Sequence, residues 1–169
     1  MKFKIRNTNI LKTQLQKVNK IIEEVAIKFK QDGIKIMGMD SNGVLASQLF
    51  IAKDNLVGYE YESISNIAIN LDAFLSILEK LVGDVEFALN KDSLTLSAGN
   101  KTFNIEFMDL DSFYEFTEFE PKVEWKVNEA VTEISKIFTY MDNGPLIINS
   151  GQDGYDLSWI VAPNFQSSH

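Results

Sequence analysis

A chain of 169 residues, 45 % of them hydrophobic, is long enough to bury a core without covalent staples. Cysteine is absent and the single histidine is the terminal His169, which excludes disulfide frameworks, thiolate zinc sites, cysteine nucleophiles and histidine-based triads. Sixteen basic side chains against 24 acidic ones give a net charge of −8 and argue against general nucleic-acid affinity, yet residues 1–30 hold eight of the cations and only two acids, Glu23 and Glu24.

In chain order, one supersecondary unit recurs with a period of about sixty residues. The first copy opens with a basic strand, Lys2 to Arg6, followed by a helix from Ile10 to Phe29, the turn Gln31-Asp32-Gly33 and a strand from Ile34 to Met39. The second runs from a strand at Ile67 to Asn70 into a helix from Asp72 to Val82. A strand from Val85 to Leu89, the turn Asn90-Lys91-Asp92-Ser93 and a strand from Leu94 to Ala98 complete it. The third begins with a strand at Val123 to Val127 and a helix from Glu129 to Met141. A strand at Leu146 to Asn149, the turn Gly151-Gln152-Asp153-Gly154 and a strand from Tyr155 to Val161 follow. Asp-Gly and Asn/Lys-Asp turns between short runs of Ile, Val, Phe and Leu are hairpin signals. Gly83 and the pair Gly144-Pro145 stop the second and third helices.

At 100° per residue, the first helix places Leu11, Leu15, Val18, Ile21, Ile22, Val25 and Phe29 on one arc and Lys12, Thr13, Gln16, Lys17 and Lys20 on the other. The apolar arc suits a sheet; the polar one is either a solvated face or a surface for something anionic. A β-α-β-β unit cannot bury its helix stripe alone, so two units are expected to pair into one α+β domain, with two helices side by side on a curved antiparallel sheet. Units one and two complete such a domain over residues 1–111. A linker rich in acids and aromatics spans 112–121, and residues 122–169 form the first half of a second domain, a third unit without a partner in this chain. Its stripe Val131, Ile134, Ile137 and Phe138 then lacks cover, which predicts oligomerisation or poor solubility.

The run Asp32-Gly33-Ile34-Lys35-Ile36-Met37-Gly38-Met39-Asp40-Ser41-Asn42-Gly43-Val44-Leu45-Ala46-Ser47-Gln48-Leu49 resembles the segment of the proliferating cell nuclear antigen (PCNA) family in which a strand ends in Met-Asp-Ser and the next continues to Gln-Leu. Ile10-Leu11-Lys12 opens the first helix as in that family. Ile69-Asn70-Leu71 with Ile77-Leu78 matches the start of the second helix, and Met108-Asp109-Leu110-Asp111 the end of the first domain. Met-Asp-Ser alone is unspecific; four matches in order over about 110 residues carry the resemblance, and weaker similarity runs on to Val161.

The resemblance implies the DNA-clamp fold and a non-enzymatic sliding clamp, a processivity factor of DNA replication and repair. Such a subunit encircles duplex DNA without sequence specificity and tethers a DNA polymerase and other client proteins. Its implied partners are double-stranded DNA, clients bearing short peptide motifs, a clamp loader and further copies joined head to tail by strand pairing; no membrane, metal or cofactor is implied. The implied location is the replication site: cytoplasmic in a prokaryote or virus, nuclear in a eukaryote. No stretch approaches the roughly 18 apolar residues of a membrane span. Lys12 matches a cation facing the central hole, with Lys17 and Lys20 on the same arc and Lys80 and Lys136 on the later helices. Ser76 and Glu79 stand where the family usually has lysine, so the basic lining is thin on the second helix. The client site implied is the loop Asn42, Gly43, Val44 and Leu45 with the linker anchors Phe113, Phe116 and Phe119; the plainer role for these phenylalanines is to pin the linker to the sheet. The family has four units per subunit and the fourth is expected to be absent here. A longer clamp in part, a short clamp, or a clamp-like adaptor or decoy that binds clients or clamp subunits without closing a ring all fit.

Enzyme chemistry finds little support. Asp109, Asp111, Glu115 and Glu118 could suggest hard-metal ligation, but carboxylates at a strand end and linker are more often solvated. Asp40 and Ser41 read as turn formers, and no Gly-rich phosphate loop, His-Glu zinc motif or serine elbow occurs.

Overall fold

The protein is described by a computed structural model covering residues 1–64, 66–110 and 146–161. The strand and helix expected at Val123 to Val127 and Glu129 to Met141 lie outside the described residues. Eleven strands and two α-helices occur within them: β1 (Lys2–Ile5), α1 (Asn9–Asn19), β2 (Glu24–Lys30), β3 (Gly33–Met39), β4 (Leu45–Ala52), β5 (Leu56–Val57), β6 (Ile67–Asn70), α2 (Leu71–Lys80), β7 (Val85–Leu89), β8 (Ser93–Ala98), β9 (Lys101–Glu106), β10 (Leu146–Gln152) and β11 (Tyr155–Val161).

Two antiparallel sheets result, ordered β5-β1-β7-β8-β9 and β10-β11-β4-β3-β2-β6. The first two units exchange their leading strands. Strand β1 of unit one pairs with β7 of unit two, with Phe3 opposite Phe87, and β6 of unit two pairs with β2 of unit one, with Ile69 opposite Val25. A bridge between Ala68 and Met108 ties the sheets at the β6 side. The expected two-fold-like pairing of the first two units is therefore present, and its device is strand exchange.

The first helix departs from the sequence expectation. It ends at Asn19, and the residues expected to continue it to Phe29 form β2 instead. Both Ile21 and Ile22 return N–H bonds to the Val18 carbonyl, closing the last turn. The following residues switch to a two-residue period, with Val25, Ile27 and Phe29 buried while Glu24 is exposed and Lys28 and Lys30 are half-buried. Because Val25 and Phe29 are also spaced by four, they continue a helical stripe on paper. Their β-branched neighbours and the pairing offered by β3 and β6 decide for a strand. Ile21, placed on the apolar arc by the helical reading, is 50 % exposed.

The second helix follows expectation closely. Asn70 caps it, its side chain accepting from the Ala73 N–H at 2.8 Å, and Asp72 lies in the first turn where the helix dipole favours a negative charge. Leu11, Leu15 and Val18 of α1 and Phe74, Leu75 and Leu78 of α2 join Val25, Ile27, Phe29, Ile36, Leu49 and Val85 of the sheets in a single core. Phe3 stacks on Phe87 at 5.1 Å between centroids and meets Tyr59 edge-on at 5.7 Å. The Tyr59 hydroxyl donates to the Lys30 carbonyl at 2.8 Å, fastening the segment after β5 to the β2–β3 turn, and burial raises its pKa.

The hairpin β10–β11 is seated on the sheet of the first domain: β11 pairs along the whole of β4 from Leu45–Val161 to Ile51–Tyr155. Its turn is two residues, Asp153 and Gly154, with φ of 48° and 82°. The left-handed pair at both central positions is the geometry of a type I′ hairpin and explains Asp-Gly at this point. Leu157 and Tyr155 enter the same core as the helices.

Replacing Leu15, fully buried on α1, by Ala is expected to cost about 3 kcal/mol in urea unfolding. Ile21→Ala, placed after the helix, should change stability by about 0.5 kcal/mol or less; equal losses at the two positions would contradict the helix end at Asn19.

Candidate functional site

Three hydrogen bonds show that α1 and α2 run antiparallel along one another. Lys12 at the start of α1 reaches the end of α2, its Nζ donating to the Leu81 carbonyl at 2.8 Å. Gln16 donates to Glu79 at 3.3 Å, and Asn19 near the end of α1 donates to Asp72 at the start of α2 at 3.2 Å. A shallow groove between the helices is lined by Gln16, Asn19, Lys20, Asp72, Ser76 and Glu79. The inward faces of both helices are committed to the core, so this polar surface is what the pair presents outward.

The expected DNA-facing cations divide into different environments. Lys17 is exposed on α1, and Lys20 is exposed immediately after its end. Lys12 is half-buried and engaged with the last turn of α2; Lys101 donates to the neighbouring Lys80 carbonyl at 3.2 Å, so two ammonium groups satisfy carbonyls at one helix C-terminus. Lys80 is exposed with its Nζ 5.6 Å from the Phe103 ring centroid, a cation–π contact. Lys136 lies outside the described residues. Asp72 and Glu79 on the same outward surface dilute its positive charge. The Lys12 contact was not legible in the sequence, since it joins residues 69 apart in the chain.

The loop Asp40 to Leu45 is built on one carboxylate. Asp40 Oδ1 accepts from the N–H groups of Val44 and Leu45, both at 2.9 Å, its own N–H donates to the Leu45 carbonyl at 2.9 Å, and Gly43 turns the chain at φ 67°. Asp40 is a turn former, as its chemistry suggested. The loop presents Ser41, Asn42 and Val44 to solvent and leaves Leu45 half-buried. Val161 of β11 stands opposite Leu45, so the end of the third unit flanks the loop. Behind it, Met39, Ala46 and Ile160 form one cross-strand row. Their alternation with Gly38, Ser47 and Trp159 puts them on the sheet face turned from the helices, where Ala46 and Ile160 are nonetheless buried. The sequence signal for this second apolar face is that β3 alternates Ile34 and Ile36 with Met37 and Met39, a strand apolar on both faces near its end. The other expected client anchors, Phe113, Phe116 and Phe119, lie outside the described residues, as do Asp111, Glu115 and Glu118 of the acidic cluster. Among the described residues no group of three or more acidic or histidine side chains is placed to hold a metal ion.

With this geometry in place, comparison with known proteins decides the family. Residues 1–112 match the family described as proliferating cell nuclear antigen, N-terminal domain. The chain belongs to this family. A DNA polymerase sliding clamp of Thermococcus onnurineus is 31 % identical over 83 residues, covering 49 % of this chain and 30 % of that protein. One of Methanococcus maripaludis is 27 % identical over 113 residues, covering 63 % and 45 %. The chain thus spans less than half the length of these clamp relatives. In structure it resembles the A. fulgidus PCNA solved with the C-terminal region of FEN-1: TM-score 0.63, 17 % identity, 70 % of this chain and 49 % of that one. The expected clamp fold, helices on curved antiparallel sheets, is the fold observed.

Lys12→Met is expected to lower stability by about 1–2 kcal/mol because the end of α2 loses a charged donor. Lys17→Met should stay within about 0.5 kcal/mol. Urea unfolding of the two variants separates a structural lysine from a surface one, and equal effects would deny Lys12 its capping role.

Proposed function

We propose that this chain is a subunit of a sliding clamp, a non-enzymatic protein whose helix pair faces duplex DNA and whose Asp40–Leu45 loop receives client peptides. The observation that carries the reading is the match of residues 1–112 to the PCNA N-terminal domain, together with an antiparallel helix pair that exposes Lys17 and Lys20. Side chains at such spacing attract phosphates but offer no planar donor pair for base edges, so binding is electrostatic, salt-sensitive and indifferent to sequence. Encirclement makes tight binding unnecessary, which suits a thin lining interrupted by Asp72 and Glu79. The net negative charge of the chain discourages DNA from adhering elsewhere. Because Lys12 is held by the Leu81 carbonyl, Lys17, Lys20 and Lys80 take the larger share of the DNA-facing role.

Clients dock, in this reading, where Val44 stands exposed beside Leu45 and Val161, with the linker phenylalanines as further anchors. The FEN-1 segment bound to the A. fulgidus PCNA supports a peptide of this kind. A DNA polymerase is the principal client, and loading by a clamp loader and head-to-tail assembly complete the proposal. A second reading, a clamp-like adaptor that binds clients without closing on DNA, is favoured by the acids among the cations of the helix surface.

Two measurements test this. Changing Lys17, Lys20 and Lys80 together to Ala is expected to weaken duplex binding equally for unrelated sequences. The plot of log affinity against log salt should flatten by about 0.9 for each phosphate that the variant leaves unneutralised; an unchanged slope favours the adaptor. Val44→Glu should abolish stimulation of a polymerase while leaving duplex affinity intact, and full stimulation by the variant would remove the loop from the client site.

A further inference from the structure

An asparagine followed by glycine carries its own reagent. The glycine backbone nitrogen can attack the asparagine side-chain carbonyl carbon, form a C–N bond and expel ammonia, leaving a cyclic succinimide. Water then opens the ring at either carbonyl. One product is an aspartate; the other is an isoaspartate, whose main chain runs through the former side chain. Glycine permits the closure because it has no Cβ to obstruct the ring. This chain has two such pairs, Asn42-Gly43 and Asn143-Gly144. The second lies outside the described residues. The first is in the loop between β3 and β4, with Asn42 exposed to water.

Around Asn42 the backbone is held against that reaction. The attacking nitrogen, that of Gly43, donates its N–H to the Asp40 carbonyl at 3.1 Å, and Gly43 itself is buried. Attack requires this nitrogen to lose its proton to solvent and its peptide plane to swing toward the Asn42 side chain; a buried, donated N–H resists both. The far side of the plane is pinned as well. Asp40 Oδ1 accepts from the N–H groups of Val44 and Leu45, both at 2.9 Å, and the Asp40 N–H donates to the Leu45 carbonyl at 2.9 Å. The left-handed φ of 67° at Gly43 is what turns the following two donors toward one carboxylate. Each of these four bonds begins or ends on Asp40.

We propose that Asn42 is a latent deamidation site that Asp40 keeps closed. The reaction needs no enzyme, metal or oxidant; it consumes water and releases ammonia, so opening of the turn is its only gate. Its products change the loop. Either one sets a new carboxylate two positions from that of Asp40, and the isoaspartate adds a methylene to the main chain inside the turn closed by Gly43 and Asp40. A further consequence rests on the reading of this loop as the client site: a charge and a displaced turn beside the exposed Val44 reject a peptide with an apolar anchor, while the lysines of the helix surface are untouched.

The test follows the full chain at one mildly alkaline pH, folded and in urea. The tryptic peptide from Ile36 to Lys53 contains Asn42 as its only asparagine, so its deamidated forms are counted by mass spectrometry without ambiguity. The folded chain is expected to deamidate there at least about tenfold more slowly than the unfolded one, and folded Asp40→Ala to recover about tenfold of that rate, the factor that two hydrogen bonds to a carboxylate are worth. Equal rates in the folded and unfolded chain would overturn the proposal without the help of any variant. An Asp40→Ala protein that folds and stays as slow as the unmodified chain would overturn it too. Deamidated protein, separated by anion exchange, is expected to lose polymerase stimulation and keep its duplex affinity. Guarded deamidation whose product still stimulates fully would uphold the role of Asp40 and remove the loop from the client site; unguarded deamidation whose product loses stimulation would do the reverse.

Discussion

The rest of the structure depends on the exchange of β1 and β6 between the first two units. Each helix follows directly from an exchanged strand, so α1 leaves a strand that sits in the sheet of unit two, and α2 leaves one that sits in the sheet of unit one. Neither unit can keep both its sheet and its helix in place without the other. The consequence is a common core in which Leu15, Leu78, Val25 and Val85 are all fully or almost fully removed from water. Burial of this kind contributes about 25 cal/mol per Å² of apolar surface, which is why the two helices have no freedom to turn their polar faces elsewhere.

That fixed orientation is what gives the surface its chemistry. The antiparallel pair sets the start of α1 beside the end of α2, and a lysine falling there is drawn to unsatisfied carbonyls before any external anion. Lys12 shows this competition directly, since its bond to the Leu81 carbonyl is a short charged hydrogen bond in a half-buried place. Lys17 and Lys20, one and two turns further on, have no comparable acceptor within the described residues and remain at the surface. The acids at Asp72 and Glu79 are similarly occupied, each accepting from an amide of α1. The outward face is therefore partly an inter-helix seam and only in part a polyanion surface.

Much of this was legible in the sequence where the signal is local. The strands at Ile67–Asn70, Val85–Leu89 and Tyr155–Val161 begin and end where turn residues and alternation put them. α2 is bounded by Asn70 and Gly83, a cap and a left-handed glycine. The first helix was over-extended because Ile22, Val25 and Phe29 satisfy the helical and the strand period together, and no glycine or proline lies between Asn19 and Glu24 to break the tie. Pairing decided it, through β3 and β6, and pairing is not written in local pattern. The same is true of the hairpin at residues 146–161: its turn was plain from Asp153-Gly154, but its seat on β4 joins segments about a hundred residues apart. At the candidate site, the turn chemistry of Asp40 was readable, whereas the anchoring of Lys12 and the placement of Val161 beside Leu45 are consequences of tertiary packing.

The most direct test of strand exchange is to divide the chain between Gly58 and Ile64, after β5 and before β6, and follow each piece by circular dichroism and urea titration. Exchange requires that neither piece show a cooperative transition alone, and that mixing restore a single transition resembling that of the intact chain. A fragment that folds cooperatively by itself, with β1 or β6 satisfied inside its own unit, would contradict the account at its root.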